Sequence, residues 1–182
     1  MAFIGKSLPR VDVLDKATGK ALYPGDFNLL DQVYMKILFA GRPHAIVKVI
    51  DTTEAEAMDG VLAVFTAKDV PVNEYGLIYN DQPVLCGPGS SKPYADRVRF
   101  VGDQVALVVA ETEEIAEEAK LKIKVDYQDI PAVTSIAEAI AKDTVLIHPE
   151  RESNNFCHYQ ILHGDVDKAF ENCDVIMEGE YR

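Results

Sequence analysis

The chain has 182 residues, of which 48% are hydrophobic and 26% charged, and its 18 basic and 30 acidic side chains give a net charge of −12. That length supports one domain or two small ones, with enough chain to bury a core without a metal or disulfide staple. The acidic balance argues against a nucleic-acid binder, which gains affinity by setting Lys and Arg against phosphates, and no stretch approaches the ~18 apolar residues of a membrane helix.

The opening seven residues carry no long apolar run and do not read as a signal peptide. Gly5-Lys6-Ser7 matches the end of a phosphate-binding loop, but only four residues precede it, too few for the strand and backbone cradle such a loop needs. YMKILFA (34–40) is predicted to be a strand, closed by the Gly41-Arg42-Pro43 turn. HAIVKVID (44–51), TTEAEAMDG (52–60) and VLAVFT (61–66) read as strand, helix and strand. Thr53 and Glu56 have the spacing of a capping box, and Gly60 sits where a helix would end, because it adopts positive φ without a Cβ clash.

A long connection follows, over about residues 67–97, with Pro71, Pro83, Pro88 and Pro93 and with Gly76, Gly87 and Gly89. A loop of this length is either functional, an inter-subunit arm being one reading, or carries short structure of its own. Within it, Gly87 to Lys92 lacks the Gly-Lys-Ser/Thr order of a phosphate loop and reads as a turn. Lys92, Arg97 and Arg99 read as a solvated loop rather than a phosphate or partner patch.

QVALVVAE (104–111), TEEIAEEAKLK (112–122) and IKVDYQ (123–128) repeat the strand–helix–strand pattern. Thr112 is the expected N-cap, glutamates favour the first half of that helix, and Lys120 and Lys122 its end. Ser135 and Glu138 form a further capping box for a helix over 135–141, residues 142–160 are polar and irregular, and 164–172 reads as a helix. VIMEGEYR (175–182) is predicted to be a terminal strand that frays or pairs with a second copy. Ile46, Val47, Val49, Val61, Ala63, Val64, Val105, Leu107 and Val109 are the expected core, in an α/β (α+β) fold with a mixed sheet built on two β-α-β units and short flanking helices.

Chemistry is not visible in these residues. Cys86, Cys157 and Cys173 are widely spaced, without the paired spacing of a metal site, and fit reduced thiols in the cytoplasm. His44, His148, His158 and His163 offer no second ligand at suitable spacing. Neither G-x-G-x-x-G nor G-x-S-x-G occurs, which disfavours a nucleotide-dependent α/β enzyme and a serine hydrolase. No catalytic, cofactor-binding or metal-binding residue is therefore assigned.

The order of four passages resembles the N-terminal α/β hammerhead domain of the large, molybdopterin-binding subunit of xanthine dehydrogenase and aldehyde oxidase-type molybdenum hydroxylases. They are PRVDVLDKATGKALYPGDF (9–27), GRPHAIVKVIDTTEAEAMDGVLAVFTAKDVP (41–71), RFVGDQVALVVAETEEIAEEAKLKIKVDYQDIPAV (99–133) and HGDVDKAFENCDVIMEGEYR (163–182). The resemblance implies one hammerhead domain over 1–182 whose last strand leads into a molybdopterin-binding region, the chain being a truncated product or one piece of a split subunit. It also implies an accessory role in an enzyme that oxidises a heterocycle or aldehyde with water as oxygen source. The expected partners are the remainder of that subunit and iron–sulfur and flavin subunits; the molybdopterin cofactor, iron–sulfur clusters and FAD belong to the complete enzyme and none to this chain. The alternative is a free-standing interaction or scaffold module without a redox role.

Overall fold

A computed structural model describes residues 4–181. The chain divides into two compact units, one up to Pro131 and one from Ala132 onward. The first begins with a short helix, α1 (Val13–Ala17), which buries none of its residues.

Its body consists of β1 (Tyr34–Phe39), β2 (Ala45–Asp51), α2 (Thr53–Glu56), β3 (Val61–Phe65), β4 (Arg97–Val98), β5 (Gln104–Ala110), α3 (Glu113–Lys122) and β6 (Lys124–Asp129). The strands make two three-stranded sheets, in the orders β1-β5-β3 and β4-β2-β6, and every pairing is antiparallel. The α/β hammerhead class stands, but the expected single mixed sheet is replaced by two antiparallel ones. Each strand–helix–strand stretch crosses from one sheet to the other. Residues 52–60 are shorter than the dozen or so that a parallel crossover requires. Strand β5 is flanked on both edges, by β1 and β3, so β6 pairs with β2 instead.

Two buried clusters hold this unit. One gathers Ala40, Ala45, Val47, Cys86, Val98 and Val105; the other gathers Ala55, Ala106, Val108, Ala119 and Ile123, with Leu38, Val61 and Val64 against it. Of the expected core, Val47 and Val105 are fully buried, whereas Val49 is 55% exposed. The cause is a bulge: the register between β2 and β6 slips between Val47 and Val49. One extra residue reverses which side chains face inward, so Ile50 takes the place expected for Val49. The caps behave similarly. Thr112 caps α3 as expected, accepting from the Ile115 amide at 3.3 Å. For α2 the N-cap is Thr52, and the Thr53 amide is taken by the Asp51 carboxylate at 3.0 Å, so the Thr53–Glu56 box does not form.

Gly60 has φ +83°, and a Cβ there would lie 2.7 Å from Ile115 Cδ1. Glycine is required both by its backbone conformation and by the approach of α3.

The second unit contains α4 (Ile136–Ala139) and α5 (Val166–Glu171). Ser135 Oγ accepts from the Glu138 amide at 3.2 Å and Glu138 Oε2 accepts from the Ser135 amide at 3.2 Å, which is the expected capping box. Asp165 caps α5 by accepting from the Lys168 amide at 3.1 Å. No described residue of this unit is buried. Residues 175–181 form no strand, contrary to the terminal strand expected from their alternation; Arg182 lies outside the described residues. A strand exists only where a neighbour pairs with it, and an alternating pattern alone does not supply one.

Candidate functional site

The long connection after β3 is the most elaborately built irregular segment of the first unit. A 3-10 turn (Ala67–Asp69) leaves β3, capped by Thr66 and Asp69, and Tyr75 and Gln82 then form an isolated antiparallel bridge. Buried Asn73 ties the segment to itself. Its Nδ2 donates to the Leu85 carbonyl at 2.8 Å and to Ser90 Oγ at 3.0 Å, and its Oδ1 accepts from the Leu85 amide at 2.9 Å. The Cys86 amide then donates to the Gln104 carbonyl at 2.6 Å, which fastens the segment to β5.

The basic cluster is part of the same construction. Lys92 Nζ donates to the Asn80 carbonyl at 2.7 Å and lies 3.4 Å from Glu74 Oε2, with only 13% of its side chain exposed. The Arg99 guanidinium donates to the Arg97 carbonyl at 3.2 Å and the Tyr94 carbonyl at 3.5 Å. These cations satisfy loop carbonyls and a carboxylate, so they form neither the expected solvated loop nor a patch for a phosphate.

His44 is 1% exposed. Its Nδ1 lies 3.0 Å from the Pro131 carbonyl, which only accepts, so the ring proton is on Nδ1. Nε2 is buried without a hydrogen-bond partner. The His44 carbonyl accepts from the Ile130 amide at 3.0 Å, so the residue fastens the end of β6 through both its backbone and its ring. Beside it, Arg42 stacks 5.5 Å above the Tyr127 ring and reaches Asp129 at 3.4 Å. Burial raises the Tyr127 hydroxyl above its usual range. His44 Nδ1, the His44 carbonyl and Arg42 thus all fasten the end of β6.

The arrangement fastens the chain to itself. Among the described residues no three His, Cys, Asp or Glu side chains are grouped to hold a metal ion. An iron–sulfur cluster usually takes four thiolates, whereas the chain has three cysteines. Of these, Cys86 is buried in the first unit, where desolvation pushes its thiol up to about 12, and Cys157 and Cys173 are exposed in the second. A flavin or pterin phosphate needs a free cation or an open ring of amides, and Lys92 is already committed to Glu74 and Asn80. A cleft of about 580 Å³ in the second unit is lined by Lys142, Asp143, Glu152 and Asn154 among others. Asn154 spends its side chain there on the Ile147 amide and the Val145 and Ala139 carbonyls. No described helix is long and apolar enough to cross a membrane.

Comparison with known proteins gives this construction its context. Residues 18–131, most of the first unit, match the family described as "Aldehyde oxidase and xanthine dehydrogenase, a/b hammerhead domain". The chain is 39% identical over 174 residues to a Bacillus subtilis protein described as a probable xanthine dehydrogenase component, covering 94% of this chain and 22% of that protein. It is 32% identical over 179 residues to the nicotinate dehydrogenase large molybdopterin subunit of Eubacterium barkeri, covering 98% of this chain and 40% of that one. Among solved structures, the aldehyde oxidoreductase of Desulfovibrio gigas superposes with a TM-score of 0.65 at 33% identity, covering 78% of this chain and 16% of that one. The chain thus spans well under half the length of these relatives. It belongs to the aldehyde oxidase and xanthine dehydrogenase family, and its residues 18–131 match that family's α/β hammerhead domain.

Proposed function

We propose that this chain is the accessory, non-catalytic hammerhead portion of the large subunit of a cytoplasmic molybdenum hydroxylase. The observation that carries the reading is the use of Asn73, Lys92, Arg99 and His44 Nδ1 for internal fastening, within a segment that matches the hammerhead family. In this reading the domain supports a molybdopterin-binding region of the same subunit. The complete enzyme oxidises a heterocycle or an aldehyde with water as oxygen source. Molybdopterin supplies the redox chemistry when bound elsewhere in the subunit, and electrons leave through iron–sulfur and flavin partners.

Two measurements test the reading. Elemental analysis of the purified chain should find neither molybdenum nor iron, and stoichiometric amounts of either would overturn it. Splicing the chain in place of the matching 174-residue segment of the Bacillus subtilis relative should yield a soluble protein that loads molybdenum. A spliced protein that aggregates without loading the metal would count against the assignment.

A further inference from the structure

The sheet β1-β5-β3 has two faces, and only one is covered by helices of the first unit. Alternation and register decide which residues share a face. Leu38, Val61, Val64, Ala106 and Val108 point to the side where α2 and α3 pack, and they join the cluster with Ala55 and Ala119. The opposite face is defined by two rungs that cross all three strands. Met35 pairs with Val109 and Val109 with Ala63; Ile37 pairs with Leu107 and Leu107 with Phe65. None of these six belongs to either buried cluster. Met35 is 55% exposed and Phe65 42%, while the other four are half-buried. All six are apolar and none is charged.

We infer that this face is a permanent docking surface for the molybdopterin-binding remainder of the same subunit, an inference that rests on the reading under Proposed function. Size and chemistry choose the occupant. Three strands about 4.8 Å apart and about five residues of 3.3 Å rise give a projected patch on the order of 250 Å². A stable association between separate chains buries about 800 Å² on each partner. A second copy docked face to face through this patch falls well short of that. A segment of the same polypeptide does not need that area, because tethering raises its effective concentration. Absence of charge points the same way. Interfaces that open and close keep a polar, partly charged character, whereas permanent ones resemble a divided core. The relatives supply such an occupant: this chain covers 22% of one and 40% of another, so most of each protein lies outside the matched segment.

The experiment uses the protein in which this chain replaces the matching segment of the Bacillus subtilis relative, with Met35→Lys and Phe65→Lys introduced singly and together. Both side chains are already exposed, so the free chain carrying these substitutions should keep its melting temperature, which establishes that the domain still folds. In the spliced protein the double variant should be cleaved by protease within the hammerhead segment at least ~10-fold faster than the parent. Equal cleavage rates for parent and double variant would overturn the inference while leaving the domain assignment intact. A free chain that sediments as a dimer, and that the double variant converts to monomer, would overturn it in favour of a second copy. A parent splice that never becomes protease-resistant would overturn the domain assignment itself, and this inference with it.

Discussion

The two units draw on similar residues and end in different states. In the first, Val47, Leu85, Val98, Val105 and Val108 are at most 1% exposed. In the second, Ile161 is 93% exposed, Met177 90% and Tyr181 97%, and nothing described is buried. Yet the second unit forms capped helices all the same. Hydrogen bonds between near neighbours make a helical turn wherever a Ser135–Glu138 or Asp165–Lys168 pair occurs. A core needs strands brought together from distant parts of the chain, as when β5 inserts between β1 and β3. Local structure and burial are therefore separable here, and the second unit has the former without the latter.

The widest gap between the units should appear on placing a charge in the first. Val108→Asp buries an unpaired carboxylate between the sheet and α3, a change of about 4 kcal/mol or more against a total stability of about 5–15 kcal/mol. The variant should lose its cooperative melt. Thiol labelling gives an independent reading: iodoacetamide should reach Cys157 and Cys173 in the parent, and Cys86 as well in the variant. A variant that still protects Cys86 would show that β5 is not the centre of the core. Asn73→Ala comes next. It leaves the buried Leu85 amide and carbonyl without their partners, a loss of about 2–4 kcal/mol. Urea unfolding should show a lower midpoint, and backbone exchange should rise across residues 72–92; an unchanged midpoint would mean the loop is fastened by something other than Asn73.

The same distinction explains what can be read from the sequence. Thr112 and the Ser135–Glu138 box are legible because residue type and offset determine them within four positions, whereas Gly60 has the expected positive φ but does not close α2, which ends at Glu56 with Ala57 as its C-cap. The bulge at Lys48 is not legible, since Val47, Val49 and Ile50 are equally apolar and only pairing with β6 decides which of them turns inward. The division into two sheets is likewise invisible, because β5 is apolar on both faces and alternation does not reveal that β1 and β3 occupy both its edges. The role of Asn73 is hidden for another reason: its partners, Leu85 and Ser90, lie 12 and 17 residues away, and no local motif marks it. The basic cluster differs from its expected solvated state on the same account, as Lys92 finds its acceptor at Asn80 across the loop. In sequence, the candidate site shows only as missing motifs; the fastening parts of Asn73, Lys92 and Arg99 emerge from the three-dimensional contacts. The family resemblance adds what neither pattern nor propensity supplies.

Equivalent caps in the two units sharpen the comparison further. Thr112 and Ser135 play the same part, each accepting an amide three residues on. Thr112→Ala should lower the stability of the first unit by about 1 kcal/mol, because α3 packs on the sheet and its loss is felt by the whole cooperative fold. The check is a urea melt.

Ser135→Ala should leave that melt unchanged and lower only the helical signal of residues 135–140, observed by amide exchange or chemical shift. Acid provides the same test without a mutation. The Glu138 carboxylate accepts from the Thr134 amide and hydroxyl and from the Ser135 amide, and these hydrogen bonds hold it below the ordinary carboxylate range. A carboxylate with a depressed folded value binds protons less readily in the helix than in the unwound chain. Its contribution is therefore fully present above the unwound value near 4.5 and is lost as pH falls through the lower, folded one. On acidification α4 should fray before the first unit melts, and Glu138→Gln should shift that fraying to lower acid sensitivity. If α4 and the first unit instead lost structure together at one pH, the helix would be coupled to a core, and the separation of local structure from burial would not hold for this unit.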